Sequence, residues 1–164
     1  GDHRDLHSFP TRRSFRSVYV SDTENHRIQK FTSSGDFVAA WGSSGSGEGQ
    51  FSSPRHLAVD NMNRIYVVDT GNYRIQVLTT TGTFVRAWGS LGNGDDQFSI
   101  ANGITVDGNG FVYVSDLGKH RIQKFASDGT FITKWGVYGS GNGQFSGPGG
   151  VAVDNSGHVY VTEV

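Results

Sequence analysis

The chain has 164 residues, carries 14 basic and 15 acidic side chains for a net charge of −1, and contains no cysteine. This balanced charge offers no general attraction for nucleic acid, whose binding depends on neutralising phosphate groups. The absence of cysteine excludes disulfide bonds, a thiol nucleophile and zinc–thiolate ligands. No apolar stretch approaches the roughly twenty residues of a membrane-spanning helix, so no membrane contact is predicted, and none of these features determines the compartment.

Residues 1–17 differ in character from the rest of the chain and resemble a translated sequencing-library adapter with one frame slip near Ser14. The segment Phe9-Pro10-Thr11-Arg12-Arg13 does not suit a central strand, because of its proline and its charges. We therefore predict an artefactual, disordered leader, the alternative being a natural disordered one. Without this leader, 10 basic and 13 acidic residues remain.

From Val18 onward the chain repeats itself every 47 residues. Trp-Gly pairs, Gln-Phe pairs and single tyrosines recur in register; they begin at Trp41, Trp88 and Trp135, at Gln50, Gln97 and Gln144, and at Tyr19, Tyr66, Tyr113 and Tyr160. A period of this length is typical of either paired helices or the four-stranded blade of a propeller.

The residues inside one repeat favour strands. In the second unit, residues 57–59, 65–68, 74–78 and 83–88 are short runs rich in β-branched and aromatic side chains. Turn residues separate the runs, and the first turn ends in Asn63, Gly110 or Gly157, residue types that accept positive φ. No segment has helical periodicity. We therefore predict an all-β fold of four-stranded antiparallel blades that stack around an axis.

Two large rings in each unit, on the predicted outer strand, are expected to form the core between blades. They are Phe37 and Trp41, Phe84 and Trp88, and Phe131 and Trp135. Each such ring can bury roughly 150 to 250 Å².

The repeat resembles the NHL repeat of six-bladed β-propellers. The resemblance rests on Gly150-Val151-Ala152-Val153-Asp154 followed by Val159-Tyr160-Val161, and on the run from Asp69 to Gln76. It covers the chain from Val18 to Val164 and implies a propeller segment of about three four-stranded antiparallel blades. The insertion-free repeats are similar to those of prokaryotic or environmental NHL proteins.

Strand counting predicts an internal fragment of 13 strands in residues 18–164. Residues 18–42 supply strands two to four of a first blade, 51–89 a second blade, 98–136 a third, and 145–164 the first two strands of a fourth. Open blade edges expose apolar faces and unpaired strands. Strand counting alone therefore suggests the hypothesis that two copies associate into a six-bladed ring, with one redundant second strand per copy displaced.

Ligand sites of such propellers usually lie on one rim, formed by the turns between strands two and three and by the connections between blades. The turns carry His26, Tyr73, Lys119 and His120. The alternative, which we favour, is that Asn25 and Asn72 shape these turns and that the rings shield them. The connections are rich in glycine and are expected to be flexible, and no helix follows them as a phosphate loop requires.

Residues that recur in every unit are interpreted as structural, because a catalytic group is usually singular. We expect the carboxylates of Asp22, Asp69 and Asp116 to cap turns and to pair with Arg27, Arg74 and Arg121. Unrepeated residues are the better functional candidates: His56, expected near the axial channel, the acidic pair Asp95 and Asp96, and Tyr138. The predicted ligand-binding rim is therefore His26, His56, Tyr73, Asp95, Asp96, Lys119, His120 and Tyr138.

The sequence favours a non-catalytic interaction scaffold whose rim binds a protein, a carbohydrate or a small ligand. No catalytic residue, metal site or cofactor is predicted. One alternative is part of a six-bladed lyase or hydrolase with a channel metal site, for which His56 would be one of three ligands. Another is the substrate- or RNA-binding propeller of a tripartite-motif ubiquitin ligase. The presence of Lys119 alone among acidic and neutral loops of the rim argues against nucleic acid as a partner.

Overall fold

The structure is a computed structural model that describes residues 17–164, so that nearly all of the predicted leader lies outside the described residues. The described residues form fifteen strands. The first sheet contains β1 (Val18–Asp22), β2 (Arg27–Phe31) and β3 (Phe37–Trp41); the second contains β4 (Pro54–Val59), β5 (Arg64–Asp69), β6 (Arg74–Thr79) and β7 (Phe84–Trp88). Two short strands follow, β8 (Ser90–Leu91) and β9 (Gln97–Phe98). The third sheet contains β10 (Ala101–Val106), β11 (Val112–Asp116), β12 (Arg121–Phe125) and β13 (Phe131–Trp135), and the fourth contains β14 (Pro148–Val153) and β15 (Val159–Glu163).

In each of these four sheets, called blades below, consecutive strands are neighbours and run antiparallel. The prediction of an all-β fold built from four-stranded blades is confirmed. The inner strands of successive blades lie side by side, β4 against β10 and β10 against β14. Within residues 17–164, no helix is long and apolar enough to cross a membrane.

The turn between the second and third strands of each blade is a single 3-10 turn: Thr23–Asn25, Thr70–Asn72 and Leu117–Lys119. The residue after the turn takes a left-handed backbone conformation, with φ of 53° at His26, 56° at Tyr73 and 52° at His120. Asn25 and Asn72 were expected to shape these turns, and their side chains do bridge them, each donating at 2.9 Å to the aspartate before the turn, Asp22 or Asp69. The positive φ lies one residue later. There the backbone N–H of His26 donates to the Thr23 carbonyl and closes the turn.

Fully buried side chains come mainly from the second and third strands of the blades, as in the cluster that includes Tyr66, Val77 and Phe125. The outer-strand rings contribute less than expected. Trp88 and its counterparts are only half-buried, and Phe37 is 61% exposed. The tryptophans lie on outer strands at the perimeter of the disc, where the blades diverge. Phe37 has in addition no preceding blade against it within residues 17–164, whereas its counterparts Phe84 and Phe131 are half-buried.

A β-bulge interrupts the innermost strand of the second, third and fourth blades at the same repeat position. The pairing of β4 with β5 passes from Pro54 opposite Asp69 to Leu57 opposite Val67, which leaves two residues of β4 opposite one of β5. Identical shifts occur in β10 and in β14. A bulge changes the direction of side chains locally, and here it does so beside the axis.

Candidate functional site

One face of the disc carries the 3-10 turns and the connections between blades, and we call it the candidate face. The opposite face carries the hairpins between the first and second strands of each blade. Predicted rim residues His26, Tyr73, Lys119 and His120 all lie on the candidate face, because they belong to or follow the 3-10 turns.

A cluster of the fully buried Asp69 and Gln76 with the half-buried Arg74 fixes the connection that enters the second blade. Arg74 Nε donates to Asp69 Oδ2 at 2.8 Å, and Gln76 Nε2 donates to the same oxygen at 3.0 Å. The arginine and the glutamine also donate to the backbone of the connection. Arg74 Nη2 donates to the Gly47 carbonyl at 2.8 Å, and Gln76 Nε2 donates to the Gln50 carbonyl at 2.6 Å. The predicted pairing of aspartate with arginine is confirmed, whereas the glutamine was not anticipated.

The third blade repeats this arrangement. Arg121 pairs with Asp116 and donates to the carbonyls of Asn93, Gly94 and Gln97. In the first blade Arg27 donates to Asp22 at 2.7 Å. Hydrogen bonds from Arg27, together with those from Asn25 and Gln29, lower the pKa of Asp22.

The glycine-rich connections, expected to be flexible, are tied down by hydrogen bonds. Gln50 Oε1 accepts a bond from the Gly47 N–H, and Gln97 and Gln144 do the same three residues after Gly94 and Gly141. Each connection also makes a short parallel pairing with itself, which in the second one forms β8 and β9. The candidate face is therefore built from anchored backbone.

Two predicted rim residues, His120 and Tyr138, meet on the candidate face. Their ring centroids lie 4.9 Å apart in an edge-to-face arrangement. Tyr138 is 71% exposed, whereas His120 Nδ1 is buried and has no hydrogen-bond partner within the described residues. In the first blade the corresponding His26 Nδ1 accepts the Ser53 N–H at 3.0 Å.

The remaining rim candidates lie apart from this pair. Asp95 forms an exposed ion pair with Lys134 on β13 at 2.7 Å. Asp96 has a φ of 58°, where the other two connections have glycine. No group of three or more His, Cys, Asp or Glu residues between positions 17 and 164 is arranged to hold a metal ion.

His56 lies beside Arg55 in the bulge of β4, the first strand of its blade. Both side chains are exposed. Arg55 had no signal of its own in the sequence beyond being unrepeated, since Asn102 and Gly149 occupy its place in the later units.

On the opposite face, Asp60 organises the first hairpin of the second blade. Burial opposes ionisation of Asp60, but hydrogen bonds from the backbone and side chain of Arg64 and from the Tyr66 hydroxyl outweigh it and lower the pKa. A groove of about 220 Å³ separates this hairpin from that of the third blade, and Met62 lines it. None of the predicted rim residues lines this groove.

Blades of this kind, stacked with their first strands beside a common axis, define a β-propeller protein. The model of the NHL repeat matches residues 16–31, 51–78, 98–125 and 145–164, which is more than half of the chain. The protein therefore belongs to the NHL repeat family.

Solved structures with the same fold include enzymes. A streptogramin B lyase is 21% identical with a TM-score of 0.66, over 90% of this chain and 44% of that chain. Virginiamycin B lyase from Staphylococcus aureus is 15% identical with a TM-score of 0.68, over 90% of this chain and 45% of that one. A gluconolactonase from Xanthomonas campestris is 17% identical with a TM-score of 0.56, over 87% of this chain and 43% of that one.

At these identities the similarity concerns the fold alone. The chain spans less than half the length of each of these three structures. No curated protein sequence matches it significantly.

Proposed function

We propose that this NHL propeller segment is an interaction module that binds a protein, a carbohydrate or a small ligand on the candidate face without catalysing a reaction. The observation that carries the proposal is the exposed ring of Tyr138, held against His120 at a centroid distance of 4.9 Å. A tyrosine in this position offers an apolar face and a hydroxyl group to a partner while losing little conformational freedom on binding.

The surroundings of Tyr138 support a binding role. Val137, the preceding residue, is also exposed, which extends the apolar surface. The backbone on which both stand is anchored, because the Phe145 N–H donates to the Val137 carbonyl at 2.9 Å and the Gly139 N–H donates to the Phe145 carbonyl at 3.2 Å. A surface that is already ordered pays less entropy when it binds.

The repeated polar groups support the same role indirectly. Asp69, Arg74 and Gln76 direct their side chains into the blade and its connection. They therefore act as a scaffold for the face. The side chains that differ between units, such as Tyr138 where the other units have Ser44 and Leu91, are left to determine what binds.

The variants for the test replace a residue of one repeat with the residue found at the same position of another repeat. Peptide display and a glycan array are screened with the 164-residue chain, and each hit is measured again with Tyr138→Ser, which installs the residue found at Ser44. The control is Met62→Asn on the opposite face, which installs the residue found at Asn109.

We expect hits that lose about tenfold or more of their affinity with Tyr138→Ser and keep it with Met62→Asn, as for a buried aromatic anchor. Hits that depend on Met62 and not on Tyr138, or a screen without hits, would contradict the proposal.

A further inference from the structure

The bulge of the inner strand differs chemically from blade to blade. In β4 it holds Arg55 and His56, opposite the single residue Val68 of β5. The corresponding bulges hold Asn102 and Gly103 in β10, and two glycines in β14. Among the described blades, the second alone therefore places two basic side chains at the axial edge.

The bulge brings these two side chains onto one partner, where a regular strand would direct consecutive residues to opposite faces. Arg55 Nη1 donates to Asn102 Oδ1 at 3.0 Å, and His56 Nδ1 lies 2.9 Å from the Asn102 carbonyl oxygen. Since a carbonyl oxygen only accepts, Nδ1 carries the proton in this contact.

Asn102 is itself fixed. It is only 9% exposed, and its Nδ2 donates to the Gly149 carbonyl of the next inner strand at 3.0 Å. Three successive inner strands are thus joined by one chain of hydrogen bonds, and both basic side chains are held before any ligand arrives.

Most of the hydrogen-bonding capacity of the pair is unused. Arg55 spends one of its five guanidinium N–H groups on Asn102, and His56 keeps Nε2, which donates in the imidazolium form. None of the ion pairs formed between residues 17 and 164 includes Arg55. The carboxylate of Asp69, which pairs in register with Pro54, is occupied by Arg74 and Gln76.

From this geometry we infer that Arg55 and His56 form an anion site at the axial edge of the candidate face, which takes the oxyanion of a carboxylate or a phosphate. A planar guanidinium matches both groups through two parallel N–H donors, and His56 Nε2 adds a third donor when the imidazole is protonated. Because β4 begins at the end of the blade where the 3-10 turns lie, this site is on the face to which the proposed function assigns ligand binding. The inference rests on the proposed function and adds to it that the ligand carries a negative charge.

The test is an NMR titration of the 164-residue chain with inorganic phosphate and, in a second arm, with acetate. Sodium chloride holds the ionic strength constant in both arms. The signals followed are Arg55 Nε–H and His56 Cε1–H. The matched variant is Arg55→Asn with His56→Gly, which installs the residues that the next blade carries at the same bulge. Arg86→Thr in β7, which installs the residue at Thr133, removes a positive charge elsewhere on the second blade as a control.

We expect saturable shifts of both signals in at least one arm, weakened about tenfold or more in the double variant and kept in Arg86→Thr. The preferred arm identifies the oxyanion. A linear response without saturation, or equal binding by the double variant with a native-like spectrum, would overturn the inference. This readout is independent of the display and array screen, so that failure of the screen with saturable phosphate or acetate binding would count against the proposed function alone.

Discussion

Gly129, in the last hairpin of the third blade, lies directly against the indole of Trp88 in the second blade: a Cβ on Gly129 would stand 2.8 Å from the ring. Gly82 lies against Trp41 of the first blade in the same way. Gly35, at the equivalent position of the first blade, has open space around it. The tryptophan of one repeat and the glycine of the next therefore form one joint between blades.

Replacing Gly129 with alanine should loosen this joint. Gly129→Ala and Gly35→Ala share the same backbone strain, since φ is 95° at one position and 93° at the other. We expect Gly35→Ala to lower the free energy of unfolding by about 1 kcal/mol, and Gly129→Ala by about 1 to 3 kcal/mol more because the methyl group displaces Trp88. Urea unfolding of both variants measures the difference, and equal losses would show that the contact with Trp88 contributes nothing.

Asp69→Asn should damage the second blade more than Asp22→Asn damages the first. Asp69 is fully buried and also accepts the Ser52 N–H at 2.7 Å, so its loss leaves the half-buried Arg74 guanidinium without its counterion. We expect a loss of about 3 kcal/mol for Asp69→Asn. Asp22 and Arg27 are more exposed, and solvent screens their attraction, so the loss should be smaller. Urea unfolding distinguishes the two; a larger effect at Asp22 would contradict the role of burial.

The repeat period predicts the strands because each strand is defined by local composition, and the strand order follows from short turns. It also predicts that the recurring Asp22 and Arg27 pair, since they flank one turn. The role of Gln76 was not predicted. Its partners Asp69 and Gln50 lie in different segments of the chain, and these segments come together only when the blade is folded. The same holds for Trp88 and Gly129, which belong to different repeats.

The candidate site was predictable only in part. Unrepeated residues such as His56 and Tyr138 stand out from the period, which indicates where to look. The partners of these residues do not stand out from the period. A comparison of the repeats shows that Arg55 differs from Asn102, but it does not show that the two are hydrogen-bonded. The bulge that brings them together is a backbone feature without a side-chain signature here, since it holds three different residue pairs in three blades.

Stability at alkaline pH should depend on Tyr66. Burial, the charge of Asp60 and the hydrogen bond to it raise the pKa of Tyr66 to about 12 from an ordinary value of 10.0. Between these values the unfolded chain releases a proton that the folded chain keeps, so stability that is present below pH 10 is lost as the pH rises towards 12. Tyr66→Phe should make this loss of stability smaller. The urea concentration at the unfolding midpoint, taken at pH 8, 10 and 11, measures the loss for both proteins.

Tyr160 provides the control for Tyr66. It makes the same hydrogen bond in the fourth blade, from its hydroxyl to Asp154 at 3.0 Å, but its ring is exposed. That hydrogen bond and the charge of Asp154 also raise the pKa of Tyr160. Solvent weakens the effect at this site, so Tyr160→Phe should change the alkaline loss less than Tyr66→Phe does. An equal or larger change would show that burial of Tyr66 is not the cause.

Self-association through the first blade is the remaining prediction. Phe131, the counterpart of Phe37 in the third blade, packs against a cluster that includes residues of the preceding blade. Within residues 17–164 no blade covers Phe37, and Gly35 beside it has an open space of the kind that a tryptophan fills at Gly129. The half-buried Trp135 of a second copy is a ring of the required type. The β14 strand of that copy would then lie beside β1 as its inner strand, which requires β15, the strand that pairs with β14 in its own chain, to be displaced.

We therefore expect the 164-residue chain to form a dimer in size-exclusion chromatography with light scattering. Phe37→Ser should lower the dimer fraction, because it removes apolar area from the open face. Val85→Thr, an exposed change on the outer strand of the second blade, should not. A chain that stays monomeric at high micromolar concentration, or a dimer that is indifferent to Phe37→Ser, would show that the open face of the first blade does not take a second copy.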